Sequence, residues 1–532
     1  MKRSVAIILI VVISVAAVAL VALVGKGAVT VIGHIGDIFG SDGEFPDLPS
    51  APNSSDLPHE SDTGLKYTEI EPIETEPPLP SLNSGKLDFE DLELTILMPD
   101  TELYHREWYI ADVDEVYTLP DAIAARDKEV PEKLGLKINY KYMPDDAVQF
   151  RDLVLSDILI GEHNYDIVLN QTSVMSQLAY RCALANLLDK NEFPYFDFSE
   201  KCWFASVGKN LTVNEKLYFN TGAFSTSTLD NISMIWMNVL MYEEYRENGD
   251  PEFLREYAAQ GKWTYEDMYQ MITAFDRTVP DKTAIVIDSD LSDNIILSSL
   301  ATAFDVDSMR RINNSWAYDL ASNSRAEDVL MRTKELYLNS GVDRKSSVEK
   351  FSECESLFLM TKLYKDQYTN YAITREMDSI PGILPLPKYD DEQQEYKAWT
   401  DGGSFMGIID HSKSSTKTHS LASSAFMQMT ALRSHESSLG YYFQNVVMPK
   451  WGWTSDLDLK MRVQDSITIL ESMTNNIEFE FCNVYSSELG GIGDIWGEAY
   501  SNNKTLAQSY LDKQSEYEES LSKLDKFFGV SQ

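Results

Sequence analysis

The chain has 532 residues, 43% of them hydrophobic, with 9 Trp, 28 Tyr and 22 Phe, which is more than one core can absorb and sets an expectation of two to four folding units. Its 84 acidic against 45 basic residues give a formal net charge of −39. That balance excludes nucleic-acid binding, which needs clustered cations to displace counterions, and disfavours docking on anionic lipid; it fits a soluble, self-repelling surface.

Residues 4–24 form an uncharged run of 21, preceded by Lys2 and Arg3. About 20 apolar residues cross a bilayer as a helix, and flanking positive charge holds the N-terminus in the cytoplasm. The run therefore predicts an N-terminal anchor with the rest of the chain exported. A cleaved signal peptide is the competing reading, although the small-residue site Ala17-Val18-Ala19 falls in the middle of the run. The first cysteine is Cys182, so no thiol stands where a lipid anchor would attach. Between Asp37 and Glu93 lie 15 acidic residues, two lysines and 8 of the 19 prolines. Low hydrophobicity with like charge predicts a disordered, extended tether.

From Leu92 the pattern alternates strand and helix. Residues 92–98 (LELTILM), 137–142 and 165–169 (YDIVL) read as strands, and 121–134, 149–160 and a segment ending at Leu178 as helices. That order implies a parallel sheet with right-handed crossovers, whose ligands bind beyond the carboxyl ends of the strands, here at 99–110 and 170–173. Residues 211–224 read as strand-like and 233–242 as a new apolar unit. Thr264 is the expected N-cap of the next helix. Strands are expected at 284–288 and 404–409, helices at 326–340 and 420–432, a helix-to-strand step at 351–361 and extended chain at 382–387; the C-terminal hundred residues read as mostly helical.

Cys182, Cys202, Cys354 and Cys482 form no C-x-x-C or Cys/His pattern, so neither a metal nor any other cofactor is expected. An exported chain permits disulfides; Cys182–Cys202 would close the shortest loop, and buried free thiols are the alternative.

Five local strings, in order, resemble the family 1 extracellular solute-binding proteins of ABC importers, which include maltose-binding protein, and among them the clostridial carbohydrate-binding type. They are YDIV at 165–168, GKWT at 261–264, FSECESLFLMTKLY at 351–364, GILPLPKYDDEQQEY at 382–396 and the helical MRVQDS at 461–466. The likeness spans roughly residues 90–525. Cys354 replaces the usual glycine of the third string. The resemblance implies a periplasmic-binding-protein-like type II fold, two α/β lobes with a hinge and a ligand cleft, preceded by the transmembrane helix and disordered linker. Its parts would be an anchor at 1–25, a tether at 26–88, lobe one at 89–230 with 380–433 returning to it, lobe two at 231–379 completed by 434–525, and a tail at 526–532.

The implied function is non-catalytic capture of a carbohydrate, an oligosaccharide, by cleft closure and its delivery to ABC permease subunits, by a monomer anchored at the outer face of the membrane. Sugars present apolar C–H faces and a rim of hydroxyls, so the site needs flat aromatics with short polar groups. Carried over position by position, the resemblance points to Glu107, Trp108 and Tyr109 after the first strand and to Asn170, Gln171 and Thr172 after the third. It also points to Asp293 or Asn294, Tyr364, Asp401 and Trp496. Trp203, Trp236, Trp263 and Trp316 read as structural, Arg462 with Asp465 as a salt bridge, and Trp451 with Trp453 as an aromatic edge. Two other functions fit less: a sensor passing its liganded form to a membrane kinase, and a secreted carbohydrate-active hydrolase. Against the hydrolase, the chain has no G-x-S-x-G, H-E-x-x-H or P-loop.

Overall fold

Residues 92–99 become a strand because both of its faces meet apolar layers. Leu94, Ile96 and Met98 point into one core and Leu97 into another, all nearly inaccessible. The computed structural model describes Leu82 and residues 87–529, apart from 109–115, 246–250, 313–314, 319, 321–322, 366–371, 411–416, 444–465, 467, 480–483 and 486–494. The expected anchor, nearly all of the tether, Tyr109, the Trp451–Trp453 edge and the Arg462–Asp465 pair lie outside the described residues. Among the described residues no helix is long and apolar enough to cross a membrane.

In chain order, β1 (Leu92–Pro99) leads to the short α1 (Glu102–Glu107), then α2 (Leu119–Leu134), β2 (Leu136–Met143), α3 (Ala147–Ile160), β3 (Ile167–Asn170) and α4 (Thr172–Tyr180). Local chemistry sets these boundaries. Thr118 and Asp121 form a capping box that starts α2, and Gly135 ends it with φ at +61°. Asp146 accepts the Val148 and Gln149 amides at the start of α3, and Gly161 ends it. β1 pairs in parallel with β2 and β3, as the alternating pattern predicts.

A first crossing, containing α5 (Thr226–Asp230), carries the chain into a second sheet. Its strands are β4 (Ser233–Asn238), β5 (Thr283–Ile287), β6 (Val342–Asp343), β7 (Ser356–Lys362) and β8 (Pro381–Leu384), in spatial order β8-β4-β7-β5-β6. The helices α6 (Tyr265–Thr278) and α7 (Asp293–Ala303) flank β5 in sequence; Thr264 caps α6 as expected, in a capping box with Asp267. A second crossing at 399–404 returns the chain to β9 (Phe405–Ile408), which pairs antiparallel with β3 and completes the order β9-β3-β1-β2. Then α8 (Lys417–Arg433) packs beside α2, and α9 (Gln514–Phe528) closes the described chain.

Four expectations change. Residues 211–224 are not a strand but loop with isolated bridges, Val213 to Lys216 and Asn220 to Met406; Asn214 and Glu215 turn the chain at positive φ. Pro381–Leu384, grouped with lobe one from sequence, pairs with β4 in the second sheet, so the return begins only at the second crossing. The tail begins later than expected, because α9 runs to Phe528, whose ring is buried beside Tyr218 and Tyr485. Cys182, Cys202 and Cys354 are free thiols, so the Cys182–Cys202 bridge is absent. Cys182 is exposed while Cys202 is sealed in the core, where burial pushes its thiol up to about 12.

Candidate functional site

β1 ends at Pro99 and the chain turns at once into α1, with Thr101 as N-cap residue. Six residues of helix give two faces. Tyr104 and Glu107, followed by Trp108, turn inward, whereas Glu102, Leu103 and Arg106 turn outward. The outward face borders a cleft of about 510 Å³. Its opposite wall comes from the second sheet: Asp290 after β5, and Tyr364 and Lys365 after β7. Ser227, Asp230 and Asn231 of the first crossing form its floor. The cleft therefore lies at the carboxyl ends of parallel strands, where open α/β sheets place their ligands.

The charges of the cleft are held by neighbours. Lys365 contacts the Asp290 carboxylate and lies 3.8 Å from that of Asp288. Burial alone would lower its pKa, but hydrogen bonding to Asp290 and the charge of Asp288 outweigh this and hold the ammonium above the usual lysine value. Asp288 is itself fixed by the Thr361 hydroxyl, which donates to it at 2.7 Å. Arg106 Nη2 stands 3.7 Å from Asp230 Oδ2, and the Tyr442 hydroxyl donates to Asp230 Oδ1 at 2.7 Å. The Tyr364 amide donates to the Asp230 carbonyl at 2.8 Å, which seats the half-buried ring at the junction of the wall and the floor.

Of the residues expected from sequence, Tyr364 lines this cleft. Glu107 is fully buried behind it, its carboxylate accepting the Ser227 amide at 2.7 Å and the Ser404 hydroxyl. Burial raises its pKa above the usual carboxylate value, while the serine hydrogen bonds oppose the shift and nearby Asp230 adds to it. Trp108 is 1% exposed, between Tyr140 and Phe224 with the Arg126 guanidinium 4.7 Å from its ring centre. It offers no face to a ligand in this conformation.

The others lie apart from the cleft. Asn170 is buried under β9, paired with Phe405, while Gln171 is exposed and Thr172 starts α4. Asp293 takes the Arg344 guanidinium, and Asn294 Oδ1 is buried with no hydrogen-bond partner among the described residues. Asp401 binds the Lys362 ammonium with both oxygens at 2.6 Å, tying the second crossing to β7. Trp496 is buried in the core, its indole N–H donating to Ser308 Oγ at 3.0 Å. Trp203, Trp236, Trp263 and Trp316 are all buried.

Sequence reasoning placed Arg106 within the 99–110 segment without naming it, and did not name Asp230, Asp290 or Lys365. The signal for Arg106 was one helical face, with 102, 103 and 106 together, but a six-residue helix is too short for its period to stand out. Asp290 and Lys365 follow strands read correctly and were within reach of the rule that ligands gather beyond strand ends.

Two α/β sheets joined by two chain crossings, with a polar cleft at the strand ends, give a mixed α/β architecture. No protein-family model and no curated protein matches the chain. Solved structures match it. The sugar-binding protein MalE of the phytopathogen Xanthomonas citri does so with a TM-score of 0.54 at 13% identity, over 83% of this chain and 100% of that one. An uncharacterised protein of Listeria monocytogenes gives 0.53 at 12% identity, over 81% and 100%. The cyclic α-maltosyl-1,6-maltose binding protein of Arthrobacter globiformis gives 0.52 at 11%, over 83% and 100%. The chain has the mixed α/β fold of these MalE-like binding proteins.

Proposed function

We propose that this protein is a non-catalytic, extracellular solute-binding protein that captures an oligosaccharide by closing two lobes on it and presents the closed form to an ABC permease. The observation that carries the reading is the cleft itself. It receives α1 from one sheet, the residues after β5 and β7 from the other, and the first crossing as floor, so a ligand touching both walls stabilises the closed state by its differential contacts. In this reading lobe one is built on β1, β2, β3 and β9, and lobe two on β4 to β8. The residues before 89 anchor the body outside the cell, where it acts as a monomer.

The lining also bears on ligand class. Tyr364 offers an aromatic face, and Ser227 and Asn231 offer short hydrogen-bonding groups, the combination a pyranose takes. Against the cations Arg106 and Lys365 stand the carboxyl groups of Glu102, Asp230 and Asp290, with Asp288 behind. An anionic sugar would meet more negative than positive charge, so the favoured ligand is neutral.

Thermal denaturation against neutral and uronic oligosaccharides, peptides and polyamines tests this, because a ligand bound only by the folded state raises the melting temperature. A rise with a neutral oligosaccharide that is recovered unchanged is expected. A rise with peptides or uronic sugars alone, or conversion of the sugar, would contradict the proposal.

A further inference from the structure

We infer that Glu107 is a positioning residue that ties the cleft-bearing helix α1 to both chain crossings at once, so that the cleft wall and the spacing of the crossings move together. The inference rests on the two-lobe reading above and assigns Glu107 a role other than touching the ligand.

Its geometry is that of a three-way junction. Oε1 accepts the amide of Ser227, in the first crossing, at 2.7 Å, and Oε2 accepts the hydroxyl of Ser404, in the second. The crossings are also joined directly. The Ser404 amide donates to Ser225 Oγ at 2.9 Å and to Ser227 Oγ at 3.2 Å. The Thr221 hydroxyl donates to the Ser404 carbonyl at 2.8 Å, and the Thr400 hydroxyl to the Thr228 carbonyl at 3.1 Å. Gly403 allows this approach: it sits at φ +144°, and a Cβ there would overlap the Thr228 hydroxyl. All of these polar side chains are buried.

Glu107 is where this zipper meets the cleft. Leu103, which lines the cleft, stands one turn before it on α1, and Arg106 is its neighbour in sequence. The helix end is held from behind by Arg126 Nη2, which donates to the Glu107 carbonyl at 2.5 Å while its Nε pairs with Asp127. Among the described residues no cation bonds the carboxylate itself; its hydrogen-bond partners are serines. A carboxylate suits the position because it accepts on both oxygens, one toward each crossing, whereas an amide accepts on one only. Leaving buried donors without their acceptor is costly, so the crossings and α1 are held in one arrangement or released together.

Amide hydrogen exchange on the full, ligand-free protein tests the inference without any sugar, so its failure is separable from failure of the carbohydrate reading, which the melting panel judges. Three variants are compared with wild type: Glu107→Ala, Glu107→Gln and Ser404→Ala. In Glu107→Ala we expect exchange at least tenfold faster in α1, 225–231 and 403–406 together, with the central amides of β1 and β7 unchanged. Glu107→Gln keeps a single acceptor oxygen and should restore the protection only in part. Ser404→Ala removes one arm and keeps the other, so it carries the test if Glu107→Ala does not fold; it should loosen α1 and 225–231 as well as its own crossing. Faster exchange confined to 403–406 in Ser404→Ala, or uniform acceleration across both sheets in every variant, would overturn the inference.

Discussion

The two faces of α1 lie one side chain apart and do opposite work. The inward face is closed: Tyr104 and Glu107, with Trp108 after them, meet the core and the serine zipper and have almost no contact with solvent. The outward face, with Glu102, Leu103 and Arg106, borders the cleft and shares charge with Asp230. Residues of one short segment thus divide between packing inside the protein and lining the cleft. Of the consecutive residues 107–109 named from sequence, Glu107 and Trp108 lie on the inward side, and Tyr109 lies outside the described residues.

Substitutions on the inward side should cost stability. Trp108→Ala should lower unfolding free energy by about 3–5 kcal/mol in urea titration, because it leaves a cavity among packed rings. A loss below about 1 kcal/mol would mean that the ring is loosely held and able to reach the cleft. Gly403→Ala should cost about 1–3 kcal/mol, from a non-glycine residue at positive φ and overlap with Thr228.

The outward side should behave in reverse. Tyr364→Ala should weaken binding of the neutral oligosaccharide that most raises the melting temperature by about tenfold, a change of ~1.4 kcal/mol. Its stability should stay within about 0.5 kcal/mol of wild type. Titration calorimetry paired with urea unfolding separates the two, and unchanged affinity would remove Tyr364 from the site.

Acid provides a finer probe of the inward side. Burial raises the Glu107 pKa, so the folded protein holds this proton more tightly than the unfolded chain does. Relative to Glu107→Gln, wild type should be most stable below the ordinary carboxylate pKa, lose that advantage as pH rises through the raised folded value, and level off above it. Asp230 also faces this carboxyl and adds to the rise. Melting curves of the two proteins across this range check it; a constant difference would show that Glu107 keeps an ordinary pKa. A further effect is expected at Asp401→Asn: the Lys362 ammonium is buried and its partner partly so, and losing one charge of this pair should cost about 1–2 kcal/mol in urea unfolding.

Much of the fold was legible because its signals are local and repeated. β1, β3 and β9 are apolar runs buried on both sides, and the Thr264 cap and the helix-to-strand step before β7 carry their own punctuation. What escaped was set by tertiary contact. Residues 211–224 have strand-forming residues but find only isolated partners. Pro381–Leu384 could pair with either sheet, and only register against Ile235 to Asn238 decides it. Tyr364 was named through the family resemblance of 351–364, and it lines the cleft. Trp108 and Trp496 were named the same way and are buried, since sequence does not show whether an aromatic faces a cleft or fills a core. Arg106 and Lys365 carry no pattern of their own.

The most direct test of cleft capture is the hydrogen-exchange footprint of the bound oligosaccharide on the full protein. Slowed exchange is expected at 102–106, 227–231, 290–292 and 363–365 together, on both walls and the floor. Protection confined to one sheet, or centred away from the cleft, would contradict the account.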